Sequence, residues 1–223
     1  MRMSDLIENY PTSYHMAEDG SWQSIMNHGL LSTSALLSLY GYEGQPRNKL
    51  ESEWRPDKVP IHRGGLPDAI LRDQKPMPPC TLAPTLTDDM STREWYKLIN
   101  SKVFFWLNWE DFEIFMDARE YRNSPQLAIV VDTDKLLRRY SDRITLSRIN
   151  SGSTMADRPS PRGLGTFRSI SDYDSPFAKE LCVEDGVSGM FDVVISVHRM
   201  IAIRKDYNAP RDVRVLEKVW PVT

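Results

Sequence analysis

The spacing of apolar residues from Tyr14 to Leu37 predicts a strand followed by two helices. A short extended segment carries Tyr14 and His15, and Ser21 is placed to cap the first helix. One face of that helix carries apolar residues at the i, i+3, i+4 spacing, namely Trp22, Ile25 and Met26. Gly29 predicts a left-handed end to this helix. The cluster Ser32-Thr33-Ser34 predicts the cap of a second helix that ends at Gly41.

Further along the chain, the same kind of pattern predicts helices and strands in turn. Residues 1–13 favour a short helix before Pro11. Ser91 and Glu94 form a capping box for a helix, and Asn108 is placed to cap another. We expect strands or extended segments at 103–107, 126–133, 143–149, 177–187 and 192–203, with a helix at 134–140.

Two stretches show little periodicity. Residues 41–84 are rich in proline, glycine and charge, and they predict a long loop of the kind that binds a ligand or acts as a lid. Residues 150–166 form a second polar loop that cannot bury enough apolar surface to order itself alone. Strands separated by helices of unequal length favour a mixed α+β class. No linker divides the chain, so we expect a single domain over residues 1–223.

Composition excludes some classes of protein. The 223 residues are 40% hydrophobic and 26% charged, as in an ordinary globular domain, and the net charge of −3 argues against non-specific coating of nucleic acid. Cys80 and Cys182 make neither a disulfide framework nor a metal pair. The chain shows no apolar leader and no apolar run of about 20 residues, so we expect a cytoplasmic protein without a membrane span.

Several catalytic motifs are missing from the sequence. It has no G-x-G-x-x-G for dinucleotides, no phosphate-binding G-x-x-x-x-G-K-[ST], no H-E-x-x-H and no G-x-S-x-G. The four histidines show no metal-ligand spacing, so no metal site is expected. A metalloenzyme or a phosphate-loop ATPase is therefore disfavoured.

A few residues are suited to chemistry by their type and position. His15 has an imidazole that can both donate and accept a hydrogen bond. Arg55 and Arg72 lie in the long loop, and guanidinium binds phosphate oxygens bidentately. Phe104 offers an aromatic face on a strand, where it points to the same side as Trp106. Each of these residues also has an ordinary structural explanation, in the core or on the surface.

An acidic residue, Glu180, begins an otherwise apolar strand. A sheet would hold such a carboxylate in a desolvated position, which is where shifted pKa values are found. Glu184 and Asp185 lie nearby and are alternatives to it, and a surface glutamate at the start of a strand is the ordinary explanation. The turn INSGST at 149–154 could present amide and hydroxyl groups to a ligand, or simply make a turn.

Three of these stretches resemble known enzymes. The Tyr14-His15 strand, the W-x-x-I helix and the H-G-L-L that follows are similar to the opening of the ADP-ribosyltransferase fold. That opening occurs in bacterial toxins that ADP-ribosylate DNA and in RNA 2′-phosphotransferases. The segment Ala178–Val183 resembles the A-E-x-L-V strand of the toxins, and K-V-F-F resembles the G-x-Y-F strand of poly-ADP-ribosyltransferases. The whole chain also resembles an uncharacterised bacterial domain family, through HGLLSTSALL, RDQKP, VFFW and INSGST.

The first resemblance implies a split, two-sheet β core with peripheral helices and a reaction that uses NAD as a substrate. Glu180 and Arg55 would be the catalytic residues, with Arg72 as the rival of Arg55 for the pyrophosphate. The residues that would bind NAD are Tyr14, His15, Ser32, Arg72 and Phe104. Within this set, His15 would bind the nicotinamide ribose and Phe104 would stack on the nicotinamide ring.

The resemblance favours a nucleic-acid acceptor over a protein acceptor, and it points to an antitoxin or regulator as a partner. Two other functions stay open. One is a catalytically silent module on the same fold that binds a nucleotide or nucleic acid. The other is an enzyme like the RNA 2′-phosphotransferases, which use a set of arginines and a histidine in place of the glutamate.

Overall fold

The computed structural model describes residues 1–204 and 209–221. The strands in this part of the chain are β1 (Thr12–Glu18), β2 (Leu30–Leu31), β3 (Val59–Ile61), β4 (Ala69–Leu71), β5 (Lys102–Trp106), β6 (Gln126–Asp132), β7 (Ile144–Ser147), β8 (Arg168–Ser169), β9 (Glu180–Glu184), β10 (Gly186–Val187), β11 (Val194–Ile203) and β12 (Asp212–Trp220).

The α-helices of the described residues are mostly short. They are α1 (Met3–Asn9), α2 (Trp22–His28), α3 (Thr33–Leu39), α4 (Gly44–Ser52), α5 (Pro79–Leu82), α6 (Thr92–Asn100), α7 (Trp109–Met116), α8 (Thr133–Tyr140) and α9 (Met190–Val193). Three single turns of 3-10 helix occur at Ala83–Thr85, Ser141–Arg143 and Leu164–Thr166.

Most of the strands join one eight-stranded sheet in the order β12-β11-β6-β1-β5-β9-β7-β8. Every neighbouring pair in it is antiparallel. Two small sheets, β10-β2 and β3-β4, lie outside it. The predicted mixed α+β class is therefore confirmed.

The large sheet has a weak junction between β1 and β5. These strands share a single residue pair, Tyr14 with Trp106, whereas β1 pairs with β6 along its whole length. The core that we expected to contain two sheets is thus one sheet, because hydrogen bonds connect all eight strands. It takes the form of two four-stranded halves that meet at one point.

The two faces of the sheet are covered differently. One face carries the main apolar core, in which side chains of α1, α2, α8 and α9 pack on Phe105, Ile129 and Leu181. On the other face, α7 covers Met16 and Trp106. Beyond the junction, the same face is covered by α6 through Trp95 and Tyr96, against which Phe104 packs. This confirms the prediction that Phe104 and Trp106 point to one face of the sheet and Phe105 to the other.

The helix caps were mostly predicted correctly. Ser32 Oγ accepts from Ala35 N at 3.1 Å, Asn108 Oδ1 accepts from Asp111 N at 2.7 Å, and Ser91 forms its capping box with Glu94. The predicted cap at Ser21 is wrong, because Ser21 Oγ donates instead to Glu18 O at 2.7 Å. That hydroxyl closes the turn out of β1 and is not free to accept from the helix.

Gly29 ends α2 as predicted, although not in the left-handed helical conformation. Its φ is +88° and its ψ is 166°. A Cβ at this position would lie 2.8 Å from the main-chain oxygen of Val187. Glycine is therefore required here because β10 passes close to the chain, as well as for its positive φ.

The long loop predicted at 41–84 is wrong in part, since α4, α5 and the β3-β4 hairpin lie within it. The helix α4 has Leu50 as its one large apolar side chain, so its sequence carries almost no helical periodicity. It is held by tertiary contacts, in which Asn100 Nδ2 on α6 donates to Glu51 O at 2.7 Å. Long-range contacts of this kind override local pattern.

Strand β12 was not predicted. It pairs with β11 and forms one edge of the large sheet, with several of its side chains exposed. Across residues 1–204 and 209–221, no helix has the length and apolar character needed to cross a bilayer.

Candidate functional site

A row of paired residues crosses four strands at the centre of the large sheet. Tyr14 on β1 pairs with Trp106 on β5, Trp106 pairs with Glu180 on β9, and Glu180 pairs with Ser147 on β7. Residues directly opposite in an antiparallel pair point to the same face, so these side chains share one side of the sheet. Tyr14 and Glu180 are two strands apart, about 10 Å at the usual strand spacing.

Glu180 is a buried carboxyl group, only 4% exposed. Its two oxygens accept from the backbone amide of Ser151, at 3.1 and 3.2 Å. Burial raises the pKa of Glu180 to about 7, although the hydrogen bond from Ser151 and the charges of Lys179 and Arg162 oppose that rise. A carboxyl group with this pKa can take up or release a proton near neutral pH.

The backbone around Glu180 is fixed on both sides. Its strand lies between β5 and β7, and the ladder continues beyond the strand's first residue. Lys179 N donates to Ser147 O at 2.8 Å, and Leu107 N donates to Lys179 O at 3.2 Å. The desolvated position that the sequence predicted for this glutamate is confirmed.

His15 lies at the junction of the two half-sheets. Its Nδ1 is 2.8 Å from the main-chain oxygen of Phe104, which can only accept, so Nδ1 carries the proton. Burial, together with the positive charge of Arg72, lowers the pKa of His15 to about 4, against the opposing effect of the Phe104 hydrogen bond. The ring is therefore neutral at pH 7, and Nε2 is its acceptor nitrogen.

Arg72 lies where β1 separates from β5. Its Nη1 donates to Met16 O at 2.9 Å, and its guanidinium lies 4.4 Å from the centre of the Tyr121 ring. The nearest carboxylate oxygen of Glu18 is 3.9 Å from Nη2. Its Nε atom is buried and unpartnered within the part of the chain that the structure describes. The structure thus brings Arg72 and His15 to the same junction.

Arg55 does not reach this junction with its side chain. It is 5% exposed, and its guanidinium donates to Asn100 Oδ1 at 3.0 Å, to Arg72 O at 3.2 Å and to Leu50 O. Burial lowers the pKa of Arg55 to about 10, which still leaves it charged at pH 7. With its donors used internally, Arg55 supports the backbone of Arg72, and it is not placed to bind a phosphate.

The other residues predicted to bind NAD all make contacts within the protein. Ser32 caps α3, and its backbone amide donates to Asp185 O at 2.9 Å. Phe104 is half-buried, with the ring of Phe167 centred 6.1 Å away. Tyr14 packs on the α7 side, edge-on to Trp109 with ring centres 5.2 Å apart, and its hydroxyl lies 2.7 Å from Thr12 Oγ1.

The two alternatives to Glu180 have structural partners. Glu184 accepts from Ser101 Oγ at 2.8 Å and forms an ion pair with Lys102. Asp185 has φ of +61°, and its backbone amide donates to Ser101 O at 2.8 Å. Both contacts close the turn after β9. Among these three acids, Glu180 is the one buried in the centre of the sheet.

Two residues beside Glu180 were missed as site residues. The sequence indicates Ser151 only as part of the turn at 149–154, and it does not single out Arg162. Arg162 is 2% exposed although it lies in a loop rich in proline and serine. An arginine in such a loop is usually solvated, so no local signal predicted its burial.

A cavity of about 360 Å³ lies beside β7 and β8 and not over Glu180. Its lining includes Ser147, Arg148, Arg168 and Asp174. Asp174 pairs with both arginines, so the charge of this cavity is largely internally compensated. Within the described ranges, no group of three or more histidine, cysteine or acidic side chains could hold a metal ion.

The comparisons with known proteins place the chain in a family. No curated protein and no solved structure matches it. Residues 11–199 match the family described as "Family of unknown function (DUF7002)". The resemblance to an uncharacterised domain family is confirmed by this match, which names no activity. Because the match covers most of the 223 residues, the chain belongs to the DUF7002 family.

Proposed function

We propose that this protein is an ADP-ribosyltransferase that uses NAD as its donor substrate. One observation carries the proposal: His15, Phe104 and Glu180 lie on three neighbouring strands, β1, β5 and β9, around the weak junction of the sheet. His15 bonds the main chain of β5 across the junction, and Phe104 and Glu180 share one face of the sheet beside it. Glu180 is buried there with a pKa of about 7. These are the residues that the resemblance to ADP-ribosyltransferases selects, and they come from separate parts of the chain.

The chemistry requires that the bond between nicotinamide and ribose breaks through an oxocarbenium-like state. A carboxylate near the ribose stabilises the developing positive charge, as in glycoside hydrolysis. In the proposal, ionised Glu180 supplies that charge and then accepts the proton of the acceptor group. Since its pKa is about 7, the ionised form predominates only above neutral pH.

The other contacts to NAD follow from the geometry of the junction. Neutral His15 offers Nε2 as an acceptor for a ribose hydroxyl. Arg72, at the same junction, takes the pyrophosphate through Nε, which has no partner among the described residues, and through Nη2, which must first release Gln126 Oε1. A guanidinium group matches phosphate oxygens bidentately. Arg55 acts behind it by holding the main-chain oxygen of Arg72 at 3.2 Å. The proposal thus differs from the sequence prediction in exchanging the roles of the two arginines.

Access to this site requires a movement within residues 150–167. Ser151 at one end of that segment bonds to the Glu180 carboxylate, and Phe167 at the other end packs against Phe104. NAD would have to displace Phe167 to stack on Phe104. We therefore propose that the Phe167 end of the segment moves when the donor enters, while the turn 150–153 stays on Glu180.

The test is incubation of the protein with labelled NAD and separate pools of DNA, RNA and protein. We expect transfer to one pool, with a nucleic-acid acceptor favoured. Glu180→Gln should lower the rate by about 10²–10³, the usual effect of losing one such electrostatic contact. The matched control is Glu217→Gln, which changes an exposed glutamate on β12. Full activity in Glu180→Gln would contradict the proposal.

The burial of Glu180 also favours a second candidate, a catalytically silent module that binds a nucleotide. In that case Ser151 holds the carboxylate permanently and Glu180 has a structural role. Such a protein would be stabilised by NAD and would transfer nothing to any pool. Turnover of labelled NAD therefore distinguishes the two candidates. In either case, an antitoxin or other regulator would be sought by its effect on NAD binding.

A further inference from the structure

Arg162 is a buried cation that forms no salt bridge with any residue the structure describes. A buried guanidinium without a carboxylate partner is costly unless its donors are satisfied. Here the two terminal nitrogens are satisfied by the loop itself, since Nη1 donates to Ser160 O at 2.6 Å and Nη2 donates to Asn150 O at 3.2 Å and to Ser153 O. Nε is buried and has no partner among the described residues.

Two of these carbonyl groups flank the residue that contacts Glu180. Asn150 and Ser153 bracket Ser151, whose backbone amide donates to both carboxylate oxygens. One nitrogen of Arg162, Nη2, joins the two ends of this four-residue turn. The direction of the Ser151 N–H bond therefore depends on where that nitrogen lies.

The backbone of Arg162 is itself fixed from outside the loop. Its amide donates to Thr85 O at 2.7 Å, and its carbonyl accepts from Thr87 N at 2.8 Å. Thr154, at the far side of the turn, donates through its amide to Pro76 O at 2.8 Å. The segment 76–87 thus fixes the backbone of Arg162 and of Thr154. The Arg162 side chain then links this fixed backbone to the turn 150–153.

We propose that Arg162 is a positioning residue for Glu180, acting through the turn 150–153 to hold the Ser151 amide on the carboxylate. That Glu180 is catalytic rests on the proposed function, whereas the coupling of Arg162, Ser151 and Glu180 does not. The role requires the planar fork of arginine, because it bonds several carbonyl groups at once. Lysine would keep the charge and lose that geometry.

The proposal has consequences for how Glu180 titrates. The groups that influence its charge are Lys179 and Cys182 on or beside β9, and Arg162 and Ser151 from the loop. Loss of the Ser151 hydrogen bond removes a contact that lowers the pKa of Glu180. Misplacing the turn should therefore raise that pKa above about 7, even when a positive charge is kept at position 162.

The experiment compares Arg162→Lys and Arg162→Met with Arg158→Met, which removes an exposed arginine of the same loop. Amide hydrogen exchange at Ser151 and the carboxyl NMR titration of Glu180 are measured without NAD. We expect Ser151 exchange to be about tenfold faster or more in both Arg162 variants, with a raised Glu180 pKa. Arg158→Met should leave both readings unchanged. If NAD turnover is present, Arg162→Lys should lower kcat more than it raises KM.

Wild-type values of Ser151 exchange and of the Glu180 titration in Arg162→Lys would overturn the proposal. A raised Glu180 pKa in Arg162→Met alone, with Arg162→Lys normal, would show that Arg162 acts only by its charge and would also overturn it. Should Arg162→Met fail to fold, Arg162→Lys decides. In the wild type, the Ser151 amide proton shift must titrate together with Glu180, or the coupling is absent. Failure of the proposed function would appear separately, as no NAD turnover with these couplings intact.

Discussion

Nδ1 of His15 donates to the main-chain oxygen of Phe104 at 2.8 Å, across the point where β1 separates from β5. The bond joins the two half-sheets beyond their single residue pair, Tyr14 with Trp106. It also fixes the tautomer of the ring, because a carbonyl can only accept. Nε2 is thereby the acceptor nitrogen, which the proposed function assigns to a ribose hydroxyl of NAD.

We expect His15→Ala to weaken the stabilisation of the protein by NAD. At a concentration a hundredfold above its dissociation constant, NAD should stabilise the wild type by about 2.7 kcal/mol. His15→Ala should show a smaller shift in Tm at the same NAD concentration while remaining folded. Since the pKa of His15 is about 4, its contribution should be constant between pH 6 and 9.

The control for this variant is His62→Ala, which removes an exposed histidine paired with Asp68. It should respond to NAD as the wild type does. An unchanged Tm of the wild type in millimolar NAD would remove the basis for an NAD-binding protein. An equal response in His15→Ala would show that NAD binds elsewhere.

Arg55→Ala should destabilise the fold, and any loss of NAD affinity should follow from that. The substitution leaves Asn100 Oδ1 and the main-chain oxygens of Leu50 and Arg72 without their donor. Unsatisfied buried acceptors cost about 1–3 kcal/mol each before relaxation, so we expect a loss of about 3 kcal/mol in the free energy of unfolding. Urea denaturation measures it.

Arg93→Ala is the matched control for Arg55→Ala. Arg93 forms an exposed ion pair with Glu53 at 2.8 Å, and such pairs contribute about 1 kcal/mol or less. If Arg55→Ala is as stable as Arg93→Ala and yet loses NAD binding, then Arg55 contacts the ligand, as the sequence first suggested.

Arg72→Lys should lower NAD affinity by about tenfold while the fold is retained. Lysine keeps the charge at the junction and loses the planar fork that holds Met16 O and stacks on Tyr121. Isothermal titration with NAD measures the change. Arg199→Lys, which alters a partly exposed arginine paired with Asp19, should bind NAD as the wild type does. Equal affinities in the two variants would exclude Arg72 from the binding site.

The free energy of unfolding should depend on pH through Glu180. The folded-state pKa of about 7 lies above the ordinary value of 4.5, so the protonated form is favoured by folding. This stabilisation is fully present below pH 4.5 and is lost as pH rises through about 7. Over that range the wild type should lose about 3 kcal/mol relative to Glu180→Gln.

Urea denaturation at intervals between pH 4.5 and 8.5 checks this dependence. The control Glu217→Gln, on the exposed edge strand, should follow the wild-type curve. Parallel curves for the wild type and Glu180→Gln would mean that Glu180 titrates alike in the folded and unfolded states. The burial of Glu180 would then not raise its pKa.

The sequence by itself determined the elements whose signals are local. The caps at Ser32, Ser91 and Asn108 were predictable because a side chain there bonds an amide three residues away. The strand alternation that separates Phe104 from Phe105 was predictable because its period is fixed by backbone geometry. The position of Glu180 at the start of β9 was also predictable, because the glutamate directly precedes a run of apolar residues that favours a strand.

Only the tertiary structure decided which charged residues are buried and what they touch. Arg55 and Arg162 lie in polar stretches that resemble solvated loops, and both are buried because carbonyl groups distant in sequence or across a turn satisfy most of their donors. The helix α4 likewise forms through contacts with α6 that its own residues do not signal. The single pairing of Tyr14 with Trp106, on which the junction depends, joins residues far apart in the chain. Such contacts depend on long-range packing, which no periodicity within one segment records.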